Sequence, residues 1–322
     1  MSSEITRITF PMESPDLWFD QLAKEGVGEK IGEKFVLNSL FGLGELEYFI
    51  FQDGFWAQQM DFNLKKPLRL SILEQKSNHL FNINFYLSNS QVSHQVGEKI
   101  FEFNFDSVSV ILISSSAASF LEFPANDQIK LFQVGFTKEW LMDNVFGERS
   151  PELKSYFSKE EPIYFSEGMD FKFKYLIEEL DIKTSSRLQL FSGCLQLLNH
   201  FFEKLELRDL KASKPTNVHP DDFDRLKKLQ GKLDMDPLED ISVEEMADLV
   251  TMSLSKFKRL FNQVFGVTPH KYLFKNKMEV ARQMLSEKKY SISETGYLIG
   301  YSNLSQFSKA FKGEFGVLPS EI

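Results

Sequence analysis

Apolar positions along this chain follow two different periods. Up to residue 136 they alternate with polar ones or gather into short runs bounded by Gly, Asn, Asp and Ser. That pattern predicts strands near Glu45–Phe51, Ala57–Asn63, Leu68–Leu73, Phe81–Leu87, Val92–Val96, Ile100–Phe105, Val108–Ser114, Ser119–Glu122 and Ile129–Phe136. Strands so short and closely spaced predict a barrel or sandwich. From Thr137 the period lengthens to 3.6, which predicts helices over Lys138–Val145, Phe171–Leu180 and Ser186–Leu207. The last carries Leu188, Leu190, Phe191, Leu195, Leu197, Leu198, Phe201, Phe202 and Leu205, more apolar surface than one contact face needs. Its second side is either a homodimer interface, the reading we favour, or intramolecular burial against Phe171–Leu180.

Near the C-terminus the pattern repeats itself at an offset of 50 residues. Ser255–Pro269 (SKFKRLFNQVFGVTP) aligns with Ser305–Pro319 (SQFSKAFKGEFGVLP) at seven of fifteen positions. Phe recurs every four residues in each copy, at 257, 261 and 265 and at 307, 311 and 315, giving one apolar stripe on a helix. Gly266 and Gly316 then stand where a left-handed cap ends the helix. Shorter helical segments precede both copies, Val243–Val250 and Ile292–Ile299, with Ser242 and Ser291 as N-caps and Glu245 and Glu294 as capping-box partners. Short helix, tight turn and longer helix is the helix-turn-helix pattern, with Gly300 marking the second turn and Thr251-Met252 the first. Thr268-Pro269 starts a further helix to about Ser286 that ties the two units together.

Charge sharpens this picture. The 322 residues carry a net charge of −9, which taken as an average speaks against a polyanionic partner. Residues 221–322 are balanced, however, with 15 Lys+Arg and 15 Asp+Glu, and Ser253–Ile322 holds 11 basic against 5 acidic residues. The acidic segment from Asp221 to Met252 is expected to face away from phosphates. With Phe257, Leu260, Phe261 and Val264 turned inward, the first long helix turns out Ser255, Lys258, Arg259 and Asn262, flanked by Lys256. The second turns out Ser305, Ser308, Lys309 and Lys312, flanked by Gln306. Such side chains can donate to guanine O6 and N7 or pair with adenine in a major groove, so these ten residues are the candidate contacts to double-stranded DNA. A solvated basic surface helix is the bland reading of either helix alone; the duplication with matched caps argues against it for the pair.

The residues from Met246 to Pro319 resemble the AraC-type DNA-binding domain. The resemblance is carried by Ala247, Ser253–Phe261, the Phe-Gly-Val-Thr-Pro-His-Lys-Tyr-Leu run from Phe265 to Leu273, Ala281 with Met284-Leu285, and Gly300-Tyr301-Ser302-Asn303 through Phe315-Gly-Val-Leu-Pro319. Lys277 and Gly296 depart from it, the family having Arg and Ala there. The resemblance implies two recognition helices in successive major grooves about 34 Å apart on one face of bent DNA. It also implies a fused sensing or dimerising domain, and RNA polymerase as a partner. Phe85–Ser88, Phe120–Pro124, Ser186–Leu190 and Gln196–Leu198 are similar to siderophore-responsive members, which implies a siderophore as effector.

The expected fold is α+β. A β-rich, barrel or cupin-like sensing domain (1–136) is followed by a helical segment that is a candidate for dimerisation (137–210). A polar, breaker-rich linker (211–220, containing Lys211-Ala-Ser-Lys-Pro-Thr-Asn217) then leads to an all-α domain with two helix-turn-helix units (221–322). The expected function is transcription regulation under a small-molecule effector. The alternatives are a cupin-like enzyme, a methyl-accepting repair protein joined to a DNA-binding domain, and an architectural DNA-binding protein that senses nothing.

The remaining chemistry mainly excludes. Cys194 is the single cysteine, so no internal disulfide or multi-cysteine metal site is expected, a thiol-based repair centre is disfavoured, and a reducing cytoplasm fits. Cys194 sits in an apolar helix, where a buried structural thiol is the default. His79 and His94, the histidines before the helical region, make ordinary hydrogen bonds in the simplest reading, so no metal, cofactor or catalytic residue is expected. Met1–Phe19 lacks the apolar run of a secretory signal, and no segment reaches the ~18 apolar residues of a membrane helix. Of the 33 Phe, 25 precede residue 221; a packed core is preferred over a pocket for them, with Trp56 and Trp140 either lining a mouth or filling gaps.

Overall fold

The computed structural model describes residues 5–88, 90–97, 99–103, 108–146, 150–180, 185–206 and 220–322. They fall into two units: Met1–Met169 with Ile177–Glu206, and Asp170–Leu176 with Leu207–Ile322. In chain order the first unit begins with β1 (Thr6–Pro11), α1 (Pro15–Lys24), β2 (Gly28–Ile31), β3 (Lys34–Leu37), β4 (Gly42–Gln52), β5 (Phe55–Leu64), β6 (Leu68–Leu73) and β7 (Leu80–Tyr86). It continues through β8 (Val92–Val96), β9 (Lys99–Phe103), β10 (Val108–Ser114), β11 (Ser119–Phe123), β12 (Gln128–Thr137), α2 (Lys138–Asn144), α3 (Pro151–Phe157) and β13 (Tyr164–Gly168). After α4 (Phe171–Glu178) comes α5 (Arg187–Glu206). The second unit holds α6 (Pro220–Met235), α7 (Val243–Leu249), α8 (Leu254–Phe265), α9 (Pro269–Ser286), α10 (Ile292–Leu298), α11 (Leu304–Phe315) and a final 3-10 turn (Pro319–Glu321).

The strands form two sheets, one ordered β1-β6-β11-β8-β9 and one β13-β10-β7-β12-β5-β4-β3-β2. All pairings are antiparallel except β1 with β6, which run parallel from Thr6↔Leu68 to Pro11↔Leu73. Each expected strand corresponds to an observed one, shifted by a few residues; residues 104 and 105 of the expected Ile100–Phe105 strand lie outside the described residues. The pattern did not reveal β1, β2, β3, β13 or α1. The hairpin of β2 and β3 turns at Gly32 (φ 62°), a left-handed position where Gly carries no Cβ penalty.

One face of the larger sheet and one of the smaller share a core containing Ile8, Phe10, Trp18, Phe19, Leu46, Trp56, Met60, Leu70, Tyr86, Ile111, Leu121 and Leu131. The other face of the larger sheet is covered by aromatic rings on α2, α3 and α5. Phe55 stacks on Trp140 at 4.2 Å and packs against Phe191 at 5.7 Å, Phe136 meets Phe202 at 6.3 Å, and Phe81 meets Phe157 at 5.5 Å. The Phe load and Trp140 are thus absorbed largely by packing. In α5, Leu190, Cys194, Leu197, Leu198, Phe201, Phe202 and Leu205 are buried, and Gly193 allows close approach, since a Cβ there would lie 2.2 Å from Leu180 Cδ2. Leu188 and Leu195 remain exposed, seven residues apart.

Caps fix the helices of the second unit where the sequence places them. Ser242 and Glu245 form a reciprocal capping box on α7, as do Ser291 and Glu294 on α10. Gly266 (φ 72°) and Gly316 (φ 76°) close α8 and α11. Helix α9 is common to two cores: its first turns bring Tyr272 and Leu273 to a cluster with α6, α7 and α8, and its later turns bring Met278, Ala281 and Leu285 to one with α10 and α11. Helix α6, which we had not anticipated, places Leu226, Leu229 and Leu233 in the first of these cores. Beneath it, Tyr272 donates to Asp234 Oδ1 (2.5 Å), Asn276 Nδ2 donates to the same oxygen (3.1 Å), and Gln230 Nε2 donates to Tyr272 Oη (3.1 Å), binding α6 to α9. Burial and the neighbouring Asp234 and Asp170 carboxylates hold the Tyr272 phenol well above its ordinary range. The segment Lys211–Asn217 lies outside the described residues.

Candidate nucleic-acid interface

Helix α8 buries Phe257, Leu260, Phe261, Val264 and Phe265 and exposes Ser255, Lys256, Lys258, Arg259 and Asn262. Its cap is Ser253, whose Oγ accepts from the Lys256 backbone N–H at 3.4 Å. Helix α11 buries Phe307 and Phe311 and exposes Ser305, Gln306, Lys309 and Lys312, with Ser308 half-buried. Here Asn303 Oδ1 accepts from the backbone N–H groups of Ser305 (2.9 Å) and Gln306 (3.2 Å). All ten residues singled out in the sequence therefore lie on the unburied sides of two helices, because the Phe stripes fix the rotation of each.

The two faces differ in their surroundings. Ser305, Ser308, Lys309 and Lys312 line an open groove of about 750 Å³ together with Leu304, Gly313 and Leu318. Gln306 is outside it. On α8, Lys256 Nζ lies 2.8 Å from Asp222 Oδ2 of α6, so an acidic residue of the segment expected to face away reaches the basic helix. The apolar positions Phe223, Leu226, Leu229 and Leu233 are the signal from which α6, and with it Asp222, was legible. Lys258, Arg259, Lys309 and Lys312 make no ion pair among the described residues.

The turns before the two helices are also unequal. In the second, Gly300 takes φ 94°; in the first, Thr251 takes φ 54°, a left-handed conformation that is unfavourable for a β-branched residue. Thr251 Oγ1 accepts from Arg225 Nη1 of α6 at 2.8 Å, a contact that helps hold it. Gly296 in α10 faces α11 closely: a Cβ would lie 2.9 Å from Leu304 Cδ2 and 3.1 Å from Phe307 Cδ1, so an Ala there requires Leu304 to shift.

Elsewhere the expected exclusions meet specific surroundings. His79 is exposed, its Nδ1 near Ser77 O and Ser115 Oγ, both at 3.3 Å. His94 is buried, Nδ1 3.2 Å from Tyr86 Oη, and burial lowers its pKa to about 3, keeping it neutral. Burial pushes the Cys194 thiol up. Among the described residues no group of three or more His, Cys, Asp or Glu is placed to hold a metal, and no helix is long and apolar enough to cross a membrane.

Two basic helices, each capped and each preceded by a short capped helix across a tight turn, define a helix-turn-helix DNA-binding domain, and residues 246–322 match the helix-turn-helix domain family. The chain is 34% identical over 80 residues to the probable transcriptional regulator LumQ of Photobacterium leiognathi, a match covering 25% of this chain and 32% of LumQ. It is 38% identical over 80 residues to the RCS-specific transcriptional activator RclR of Escherichia coli, covering 25% and 28%. These matches span about a third of the relatives' lengths. Unsaturated fatty acid bound ToxT of Vibrio cholerae is similar over 84% of this chain and 95% of its own, at 15% identity and a TM-score of 0.36.

Proposed function

We propose that the protein is a sequence-specific DNA-binding transcription regulator, with residues 221–322 as its DNA-binding domain and residues 1–136 as a cupin-like sensing domain. The observation that carries this is the equivalence of the two basic faces: Arg259 on α8 and Lys309 on α11 occupy the same repeat position, both are exposed, and both are free of ion pairs among the described residues. Two helix-turn-helix units joined by α9 then enter successive major grooves. Ser255, Lys256, Lys258, Arg259 and Asn262 serve one, and Ser305, Gln306, Ser308, Lys309 and Lys312 the other. The Lys and Arg side chains supply phosphate neutralisation and, where geometry allows, guanine contacts.

In this reading the protein acts in the cytoplasm with RNA polymerase, under a small-molecule effector held by the strand-rich unit. A siderophore is the class suggested by the short resemblances near Phe85 and Phe120. Homodimerisation through the 137–210 segment is supported by Leu188 and Leu195, which stay exposed on α5. The names of the relatives favour regulation over a cupin-like enzyme.

Selection of preferred duplexes by the full chain, followed by anisotropy titration with and without ferric siderophores, tests the reading. A recovered motif with two half-sites about one helical turn apart supports it. Binding equal for all sequences, or none at low salt, overturns it.

A further inference from the structure

The inner face of the larger sheet carries a row of amides where a sealed core would carry hydrocarbon. Gln58 on β5 stands opposite Gln133 on β12, which stands opposite Asn84 on β7, and Asn82 follows two residues from Asn84. These positions alternate with the outward-facing Phe132, Val134 and Phe136, and they share a face with Trp56, Met60, Leu131 and Tyr86 of the core. Buried amides cost free energy unless they are hydrogen-bonded. One pair is satisfied: Gln133 Nε2 donates to Asn84 Oδ1 at 2.7 Å. The others are not. Gln58 is 1% exposed and its Nε2 has no partner, and Asn82 is 8% exposed and its Oδ1 has none.

One further feature shows that the row is reached by solvent. Gln133, on a central strand and pointing inward, is only half-buried. Beside it, Gly135 makes room for the Trp56 indole, which fills the space where a Cβ at 135 would sit, 2.1 Å from Trp56 Nε1. The Trp56 indole thus lies flat against β12, between an orphan donor and an orphan acceptor. Gln58 and Asn82 lie two strands apart, roughly 10 Å across the sheet, a span suited to a small molecule. On β4, β5, β7, β10 and β12 the positions of this face hold no Lys, Arg, Asp or Glu among the described residues, and His94 on β8 is neutral.

We propose that this face is a binding site for a small uncharged molecule bearing hydroxyl or amide groups, which accepts from Gln58, donates to Asn82 and rests an apolar face on Trp56. The inference rests on the effector reading above and narrows it to uncharged effectors, which among siderophores leaves only neutral chelates: a carboxylate, phosphate or charged chelate entering this site would be desolvated with no counter-charge.

All three tryptophans, Trp18, Trp56 and Trp140, belong to the strand-rich unit, so the tryptophan fluorescence of the full chain, excited selectively over tyrosine, reports on it alone. The probes are N-acetylglucosamine and myo-inositol, with glucuronate and decanoate as charged counterparts, each at millimolar concentration and without DNA. The uncharged probes are expected to shift the emission and the charged ones to leave it unchanged. Gln58→Leu and Asn82→Leu should abolish the response while raising the unfolding temperature by a few degrees, because each removes an unsatisfied group. Gln59→Leu, on the opposite face of β5, should keep the response. Silence toward both uncharged probes, a response to the charged ones alone, or a lowered unfolding temperature in both leucine variants would overturn the assignment. A probe that binds here without altering DNA affinity leaves the site standing and removes only its role as effector site.

Discussion

The Asp222 carboxylate on α6 lies 2.8 Å from the Lys256 ammonium on α8, at the start of a helix otherwise rich in unpaired basic side chains. A phosphate approaching Lys256 must compete with that carboxylate. Asp222→Asn should therefore tighten DNA binding by about two- to fivefold, the range of a partly exposed ion pair, and should steepen its salt dependence. Anisotropy titration at several salt concentrations measures both. Weaker binding by the variant would show that Asp222 positions Lys256 and does not mask it.

Arg259 and Lys309 are expected to act in different grooves. Arg259→Ala should cost about 1 to 3 kcal/mol and relax preference at one position in one half-site. Lys309→Ala should do the same about one helical turn away. Site selection with both variants separates them; loss of preference at the same base pairs contradicts the two-groove arrangement.

Gly300 and Thr251 occupy the same place in the two repeats with left-handed backbones, φ 94° and φ 54°. Nothing lies within 4 Å of a Cβ built on Gly300, so Gly300→Ala should cost only the backbone term, about 1 to 2 kcal/mol. Thr251→Gly should be close to neutral, since relief of a similar strain is offset by about 0.5 to 1 kcal/mol of added unfolded-state entropy and by loss of the Arg225 contact. Chemical denaturation followed by circular dichroism compares the two.

His94 makes the strand-rich unit sensitive to acid. In the unfolded chain its imidazole takes up a proton below about 6.5, and in the fold only below about 3. Between those values the unfolded state binds the extra proton, so stability falls as pH drops, by up to about 1.4 kcal/mol per unit, while above 6.5 His94 contributes no pH dependence. His94→Gln should flatten that part of the profile, as read from urea midpoints by tryptophan fluorescence between about pH 7 and pH 4. An unchanged slope would assign the acid sensitivity to other groups.

The second unit was legible because its signals are local. Phe every fourth residue sets the rotation of α8 and α11, Gly266 and Gly316 mark their ends, and Ser242 and Ser291 mark the starts of the short helices before them. What escaped depends on distant parts of the chain. The parallel pairing of β1 with β6 joins Thr6 to Leu68, and nothing in either segment encodes the other. Asp222 reaches Lys256 only because α6 docks on α9 through Tyr272 and Asp234. The amide row is likewise invisible along the chain: Gln58, Asn84 and Gln133 become neighbours only once three strands pair in one register.

Helix α9 gives the second unit the character of a screw thread. Its 18 residues span about 27 Å, and its two ends sit in different cores. Adding one residue at its middle would advance α10 and α11 by about 1.5 Å and also swing them by about 100°, changing the direction of Lys309 relative to Arg259. Seven added residues complete nearly two whole turns and restore the direction at about 10 Å greater reach. The separation and the aim of the two basic faces are thus a single inherited quantity, altered together by any change in the helix's length.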